Sequence, residues 1–519
     1  MRAFAALLES LAFTTQRNAK VARLAAYLKT TPDPARGWAL AAVTGGLKLP
    51  AVTPSLLRGL AEARVDPELF RLSYDFVGDL AETIALIWPG RGEPLDLPLE
   101  AAVEALRTTP KAGLPDLIAG WLDGLPPSER LALVKLATGG LRVGVSARLA
   151  QTAVAALGPH DADAVGEHWH GAAPPYAALL AWAAGGAAPP QADPAPFRPL
   201  MLAHPVEDDT LATLDPAQYA AEWKWDGIRV QAVAAGGTRR LYSRTGEDLA
   251  PAFPDLIAAL AFEGALDGEL LVRRDGRVAP FNDLQQRLNR KTPGKALIAG
   301  LPAMIRAYDL LIWQGEDLRA LPFAARRARL EGAVAQIGSD RIDLSPLVAA
   351  PDWAALDALR RSPPDPVIEG LMLKRRDAPY LPGRPRGPWW KWKRDPMTVD
   401  AVLMYAQRGH GKRSGYYSDF TFGVWQGDTL VPVGKAYFGF TDAELRQLDR
   451  FVRENTTERF GPVRAVAPRL VLEVAFEGLQ RSPRHRSGVA MRFPRIARIR
   501  WDKPADQADR LEGLVARLT

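Results

Sequence analysis

Lys224-Trp225-Asp226-Gly227-Ile228-Arg229 is the stretch on which the reading of this chain turns. It sets a primary amine, an Asp-Gly pair and a guanidinium within one short run. Asp-Gly between extended segments is the usual turn of a β-hairpin, and the plain expectation is a solvated turn. The chemical expectation is different. A lysine is a nucleophile only as the neutral amine, a state that desolvation or neighbouring cations favour, and Arg229 is one such cation. The surrounding sequence has to decide between the two.

The chain has 519 residues, enough for several domains, and three are expected. Lysine and arginine number 66 against 59 aspartates and glutamates, a net charge of +7 that permits an anionic partner without identifying one. The absence of cysteine excludes disulfides and any cysteine-ligated zinc or iron-sulfur centre, and fits an intracellular protein. At the N-terminus Phe4, Leu7, Leu8 and Leu11 recur at helical spacing with Glu9 among them, which predicts an amphipathic helix rather than a leader. No apolar run reaches membrane-spanning length, so cytoplasmic residence without a membrane partner is expected.

Alanine-rich helical periodicity dominates up to about residue 185, broken by Thr31-Pro32-Asp33-Pro34 and Pro126-Pro127-Ser128. The glycine- and proline-rich run from Ala184 to Pro196 disfavours helix and sheet and reads as a linker. Beyond it, short strand-like runs at 229–233, 266–272, 305–312 and 371–374 alternate with turns and helices, the pattern of an α+β domain that ends near Asp395-Pro396. Further strands are expected at 398–406, 419–425, 429–433 and 470–476. Between them a helix is expected over 441–455, with Thr441 as its cap and Leu445, Leu448 and Val452 on one side. Strands wrapped around one helix suggest a small oligonucleotide-binding (OB-fold) barrel. The expected organisation is therefore multidomain α+β: an all-helical domain with linker over 1–195, an α+β domain over 196–395 and a β-barrel over 396–519. No internal repeat of fixed period is evident.

Further motifs follow the lysine hexapeptide in order: Ser243-Arg244-Thr245-Gly246, Leu266-Asp267-Gly268-Glu269-Leu270, Tyr308-Asp309-Leu310, Glu369-Gly370-Leu371-Met372-Leu373-Lys374, Trp390-Lys391-Trp392-Lys393, and Arg492-Phe493-Pro494-Arg495 leading to Asp502-Lys503. Together they resemble the ATP-dependent DNA ligases of the covalent nucleotidyltransferase superfamily. The resemblance implies a nucleotidyltransferase (adenylation) domain in the middle of the chain. It also implies an enzyme that joins 3′-hydroxyl and 5′-phosphate ends at nicks in duplex DNA, with ATP as co-substrate, Mg²⁺ or Mn²⁺ as metal, and roles in DNA repair, replication and recombination.

In that resemblance Lys224 carries AMP. Attack on an α-phosphorus needs spread positive charge and a bridging metal. Arg229, Lys391 and Lys393 are the candidate cations, and they would also keep Lys224 neutral. Alternation along a strand puts Lys391 and Lys393 on one face, whereas their plain reading is a solvated basic strand. Glu269 and Glu369 match residues that contact ribose and metal, and hard carboxylates suit Mg²⁺ or Mn²⁺. Tyr308 stands where an aromatic ring, more often phenylalanine, stacks on adenine. Glu222, two before Lys224 and so on the same side of a strand, could meet the adenine amino edge by its carboxylate or backbone. Arg244 matches a ribose or nick-phosphate contact, and either Arg384 or Arg386 matches an arginine that precedes the lysine pair. Arg492 and Arg495 are expected to orient the β and γ phosphates.

Two segments point to DNA. Lys135 to Val145 resembles part of the helical DNA-binding domain of the larger ATP-dependent ligases. There Gly139, Gly140 and Gly144 would let backbone amides approach a phosphate, and Arg142 adds a cation. The plain alternative is a Gly-Gly break between packed helices. Arg408 to Tyr417, with Lys412 and Arg413, has the composition of a duplex-contacting loop. RNA ligases and messenger-RNA capping enzymes share the lysine chemistry, and the helical half argues against both. A noncatalytic DNA-binding protein would not need the acids. Nicked duplex DNA is thus the expected partner of a monomer in the cytoplasm, associated with the nucleoid.

Overall fold

Helical periodicity in the first third is realised as twelve α-helices among the described residues, from Arg2–Phe13 to Ala177–Ala183. The computed structural model describes residues 1–518 apart from 187–188, 191–192, 208, 289, 291, 410–414, 438 and 484. The first helix buries Phe4, Leu7, Leu8 and Leu11, the stripe read from the sequence. Several starts are fixed by side-chain caps: Thr53, Asp66, Asp79 and Ser146 each accept from a backbone N–H three residues on, satisfying donors that a helix cannot satisfy internally.

The chain forms two compact units. One comprises Met1–Leu157, Ala173–Leu180 and Pro396–Thr519, and the other Gly158–Ala172 with Ala181–Asp395. The second unit therefore takes in a piece of the helical region. His170 Nε2 lies 2.9 Å from the carbonyl of Gly246 and its ring meets the edge of Tyr242 at 4.5 Å, while Glu167 pairs with Arg319.

Two sheets make up the body of the second unit. The five-stranded sheet runs His204–Pro205, Trp389–Lys393, Ile368–Arg375, Tyr219–Trp225, Leu347–Val348. The seven-stranded sheet is built on Thr238–Ser243, Ile228–Ala235, Gly264–Arg274 and Ala303–Trp313, all antiparallel neighbours. Asp226-Gly227 is thus not a hairpin turn. The strands before and after it belong to different sheets, and the pair carries the chain from one to the other. A side chain at Gly227 would lie 2.6 Å from the carbonyl oxygen of Leu270 and 2.8 Å from Glu269 Cγ, so the crossing has room only for glycine.

In the first unit the C-terminal strands curl around a core that includes Phe420, Phe422, Phe476 and Leu448. The long strand Met397–Arg408 pairs with Tyr417–Gln426 on one side, and on the other with Val471–Phe476 along its first half and Val463–Val466 along its second. One strand serving three partners bends the sheet towards closure, as in an OB-fold barrel. The helix Asp442–Glu454 carries the expected Thr441 cap, completed into a capping box by Glu444, and buries Leu445, Leu448 and Val452.

Candidate active site

Lys224 stands near the end of Tyr219–Trp225, opposite Gly370 of Ile368–Arg375, which in turn faces Lys393. Gly370 has φ 146°, and a side chain there would strike the carbonyl of Trp392, so glycine lets the three strands close around the residue before it. That residue, Glu369, accepts a hydrogen bond from Lys224 Nζ and lies 3.9 Å from Lys393 Nζ. Glu269 enters from the other sheet, where it pairs with Arg229 across the strands. The structure therefore brings Lys224, Glu269, Glu369 and Lys393 together from two sheets.

The electrostatics reverse one expectation. Burial pushes the Lys224 amine down, but the carboxylates of Glu369 and Glu269 more than offset this and hold it above the ordinary lysine value. Arg229 is tied to other partners. Its Nε donates to Asp267 Oδ1 at 3.0 Å and its Nη2 to Oδ2 at 2.5 Å, while Tyr380 Oη and the carbonyl of Met201 take its other donors. Its charge is matched by a fully buried aspartate, and the lysine is protonated in this state. Lys391 is the cation shifted the other way: burial first, then Lys393, Arg384 and Lys224, lower its affinity for a proton.

Glu269 carries the opposite tension. Burial pushes its carboxyl up to about 8; Lys224 and Arg229 pull it down without compensating, and Glu369 and Asp267 add to the rise. No hydrogen bond reaches this carboxylate among the described residues. Glu369 is held below the usual carboxylate value, because Lys224 and Lys393 outweigh its burial. Two carboxylates around one amine, one of them short of positive charge, fit a divalent cation. No group of three histidine or acidic residues suited to a metal occurs among the described residues. An ion here would complete its shell with phosphate oxygens and water, as Mg²⁺ does.

Tyr308 occupies a β-bulge. Asp267 opposes Asp309 and Gly268 opposes Ala307, leaving Tyr308 as the extra residue, and bulges beside active sites re-aim a side chain. Its ring lies 4.5 Å from Lys374 Nζ and 5.9 Å from Arg229 Cζ. Glu222 is almost fully buried, and both carboxylate oxygens are committed: Oε1 to Arg327 at 3.3 Å, Oε2 to Lys374 at 3.0 Å and to Ser345 Oγ at 3.3 Å. Its carboxylate thus serves the frame of the site. Arg244 is exposed, without a carboxylate partner among the described residues, and its charge is felt with those of Arg229 and Arg384. The charge of Arg384 also reaches Lys391.

The remaining candidates lie in the first unit. Arg492 ends the strand Val489–Arg492 and Arg495 starts Arg495–Arg500, with Phe493 between them at φ 50° and Arg495 3.8 Å from Glu477. Lys412 and Arg413 lie outside the described residues. Gly139 terminates the helix Pro127–Thr138 in the left-handed conformation; its amide and that of Gly140 donate back to Leu136 and Lys135. Those amides close a helix C-cap, the geometry of a helix break. Arg142, exposed at φ 38°, and Gly144 at φ 67° shape the turn that follows. A second copy of the pattern went unread in the sequence: Thr44-Gly45-Gly46-Leu47-Lys48 parallels Thr138-Gly139-Gly140-Leu141-Arg142, and Gly45 ends its helix in the same left-handed form. Also missed were Asp267, Asp309, Arg326, Arg327 and Tyr380, all buried. Only the two aspartates belong to the motif series that follows Lys224.

Known proteins resemble this chain in sequence and in fold. The family described as "ATP dependent DNA ligase domain" matches residues 200–393, and "ATP dependent DNA ligase C terminal region" matches residues 413–503. A probable DNA ligase of Anaeromyxobacter sp. (strain Fw109-5) is 37% identical over 407 residues, covering 76% of this chain and 77% of that protein. Probable DNA ligases of Koribacter versatilis and Opitutus terrae are 37% and 36% identical over 61% and 76% of the chain. The chain spans 59% and 46% of their lengths. The solved structure "Pmar-Lig_PreS3" is 16% identical and aligns over 96% of this chain and 99% of its own with a TM-score of 0.61, a likeness of fold. On these matches the chain belongs to the ATP-dependent DNA ligase family.

Proposed function

We propose that the protein seals 3′-hydroxyl/5′-phosphate nicks in duplex DNA through an AMP adduct on Lys224. The observation that carries the reading is the Lys224 amine set between Glu369 and Glu269 with Lys391 and Lys393 beside it. In this state Glu369 holds Lys224 protonated. To react, the amine must leave that ion pair, release its proton to solvent and attack the α-phosphorus of ATP, the new N–P bond forming as the bond to pyrophosphate breaks. Lys391 and Lys393 balance the charge on the α-phosphate, and where they are charged they oppose protonation of Lys224 once it has left Glu369. Mg²⁺ or Mn²⁺ held by Glu269 and Glu369 would neutralise phosphate oxygens and occupy the carboxylates that otherwise retain the amine's proton. AMP then passes to the 5′-phosphate of the nick, and the 3′-hydroxyl displaces it to form the phosphodiester.

Tyr308 stacks on adenine in this reading, and Arg244 with Arg384 meets ribose or phosphate. The helical region over 1–195 and the barrel over 396–519 hold the duplex through phosphate contacts, with Arg492 and Arg495 orienting the β and γ phosphates. The enzyme acts as a monomer in the cytoplasm, at the nucleoid, in repair, replication and recombination; no helix of the described residues is long and apolar enough to cross a membrane. Intact mass after incubation with ATP and Mg²⁺ tests the reading: one AMP adduct mapping to Lys224 is expected, and adduct formation by Lys224→Ala overturns it.

A further inference from the structure

The two sheets of the second unit each supply half of the site, Lys224 from one and the Tyr308 bulge with Glu269 from the other, so their relative setting decides whether nucleotide and nucleophile meet. One helix, Phe323–Ile337, grips both. Arg326 and Arg327 are consecutive, and at 3.6 residues per turn consecutive side chains diverge by about 100°. Arg326 makes a two-pronged ion pair with Asp309 at 2.8 and 2.9 Å, immediately after the Tyr308 bulge in the seven-stranded sheet. Arg327 Nη1 donates to Glu222 at 3.3 Å in the lysine strand and to the carbonyl of Ser345 at 2.8 Å. Lys374 closes the circuit. Its ammonium donates to Glu222 Oε2 at 3.0 Å and to the backbone carbonyl of Tyr308 at 2.9 Å.

All five of these charged side chains are buried, and Arg326, Asp309, Glu222 and Lys374 are almost fully so. Burying ion pairs returns little stability compared with apolar packing; what such networks offer instead is a defined geometry. Here that geometry spans the two halves of the site and ends on the carbonyl of the residue placed to stack on the base.

We propose that Arg326 and Arg327 are positioning residues for adenylation: the pair locks the Tyr308 bulge against the Lys224 strand and so sets nucleotide affinity and the preference for adenine. The inference rests on the adenylating role of Lys224. Breaking the Arg327 arm loosens the pocket without removing any group that touches the nucleotide.

The test uses the full chain with Arg327→Met and Arg327→Lys, each alone and in the Lys224→Ala background. Calorimetry with ATP and GTP in that background reads binding without chemistry; initial adduct formation against ATP concentration reads KM and kcat in the active chain. Arg327→Met is expected to raise Kd and KM for ATP about tenfold, to narrow the preference of ATP over GTP, and to leave kcat at saturating ATP within about threefold; Arg327→Lys is expected to restore much of both. Unchanged ATP affinity and unchanged base preference in folded Arg327→Met overturn the proposal, as does an equal loss for ATP and GTP. If Arg327→Met does not fold, Arg327→Gln carries the same comparison. Should the wild-type chain take up no AMP while Arg327→Met still weakens ATP selectively, the adenylation reading falls and the positioning role stands.

Discussion

The lysine cluster and the Gly139–Gly144 turn were both read from short motifs, yet the structure treats them in opposite ways. Around Lys224 the acids and Arg229 have their state set by burial and by neighbours: Glu369 held ionised, Glu269 pushed up to about 8, Arg229 paired with Asp267. In the turn, Arg142 is exposed and the glycine amides spend themselves on the helix they terminate. The first region is a cluster of opposed charges gathered from two sheets. The second is a helix end whose capping amides are satisfied within the chain and which bears an exposed cation.

The contrast is sharpest on substitution. Lys224→Ala should abolish AMP adduct formation while leaving duplex binding intact, and Arg142→Ala should leave the adduct intact while weakening DNA. Mass spectrometry and a filter-binding titration separate the two, and loss of both functions in either variant would break the comparison. Next in size is the frame beneath the site. Asp309→Ala strands Arg326 in the interior, and removal of one partner from a buried ion pair costs about 3–5 kcal/mol. A chemical-denaturation midpoint near that of wild type would show that Arg326 finds water or a carbonyl instead. Smaller again is the effect on DNA. Lys48 and Arg142 carry the repeated motif, and if each meets one phosphate, each alanine variant should lower the salt slope of duplex affinity by about one unit. An unchanged slope for Lys48→Ala would make the first copy a helix cap and nothing more.

Legibility followed the same divide. The helix under Thr441 and the strands over 264–274 and 303–313 follow from local periodicity and capping, and the sequence expectation came within a few residues of each. The residues gathered at Lys224 were legible through the order of their motifs, which resembles that of the ATP-dependent DNA ligases. What stayed hidden was long-range. That Asp226-Gly227 crosses between sheets depends on the space left by Leu270 and Glu269, which no local pattern contains. That Arg229 is spent on Asp267 depends on which of several acids lies nearest in the fold, so the cations expected to keep Lys224 neutral gave way to carboxylates that keep it charged. Arg326 and Arg327 look like two more surface cations on a helix until their partners, 17 and 105 residues away, are known.

The finest test concerns Glu269 alone. Its carboxyl, ordinarily near 4.5, is pushed to about 8 in the fold, so between those values the native state holds a proton that the unfolded chain has released. Stability contributed by this group is therefore fully present below 4.5, is lost as pH rises through that window, and stays lost above 8. Glu269→Gln keeps the shape and cannot ionise. Measured without nucleotide and in a chelator, its thermal midpoint should match wild type near pH 5 and exceed it by a few degrees at pH 9, with the gap opening from one to the other. A divalent cation added at pH 9 should then stabilise wild type and not the variant, because ion and proton compete for one carboxylate. A gap that is constant with pH would mean that solvent, not the buried face of the sheet, sets the charge on Glu269, and the cleft would then resemble the exposed turn more than its packing suggests.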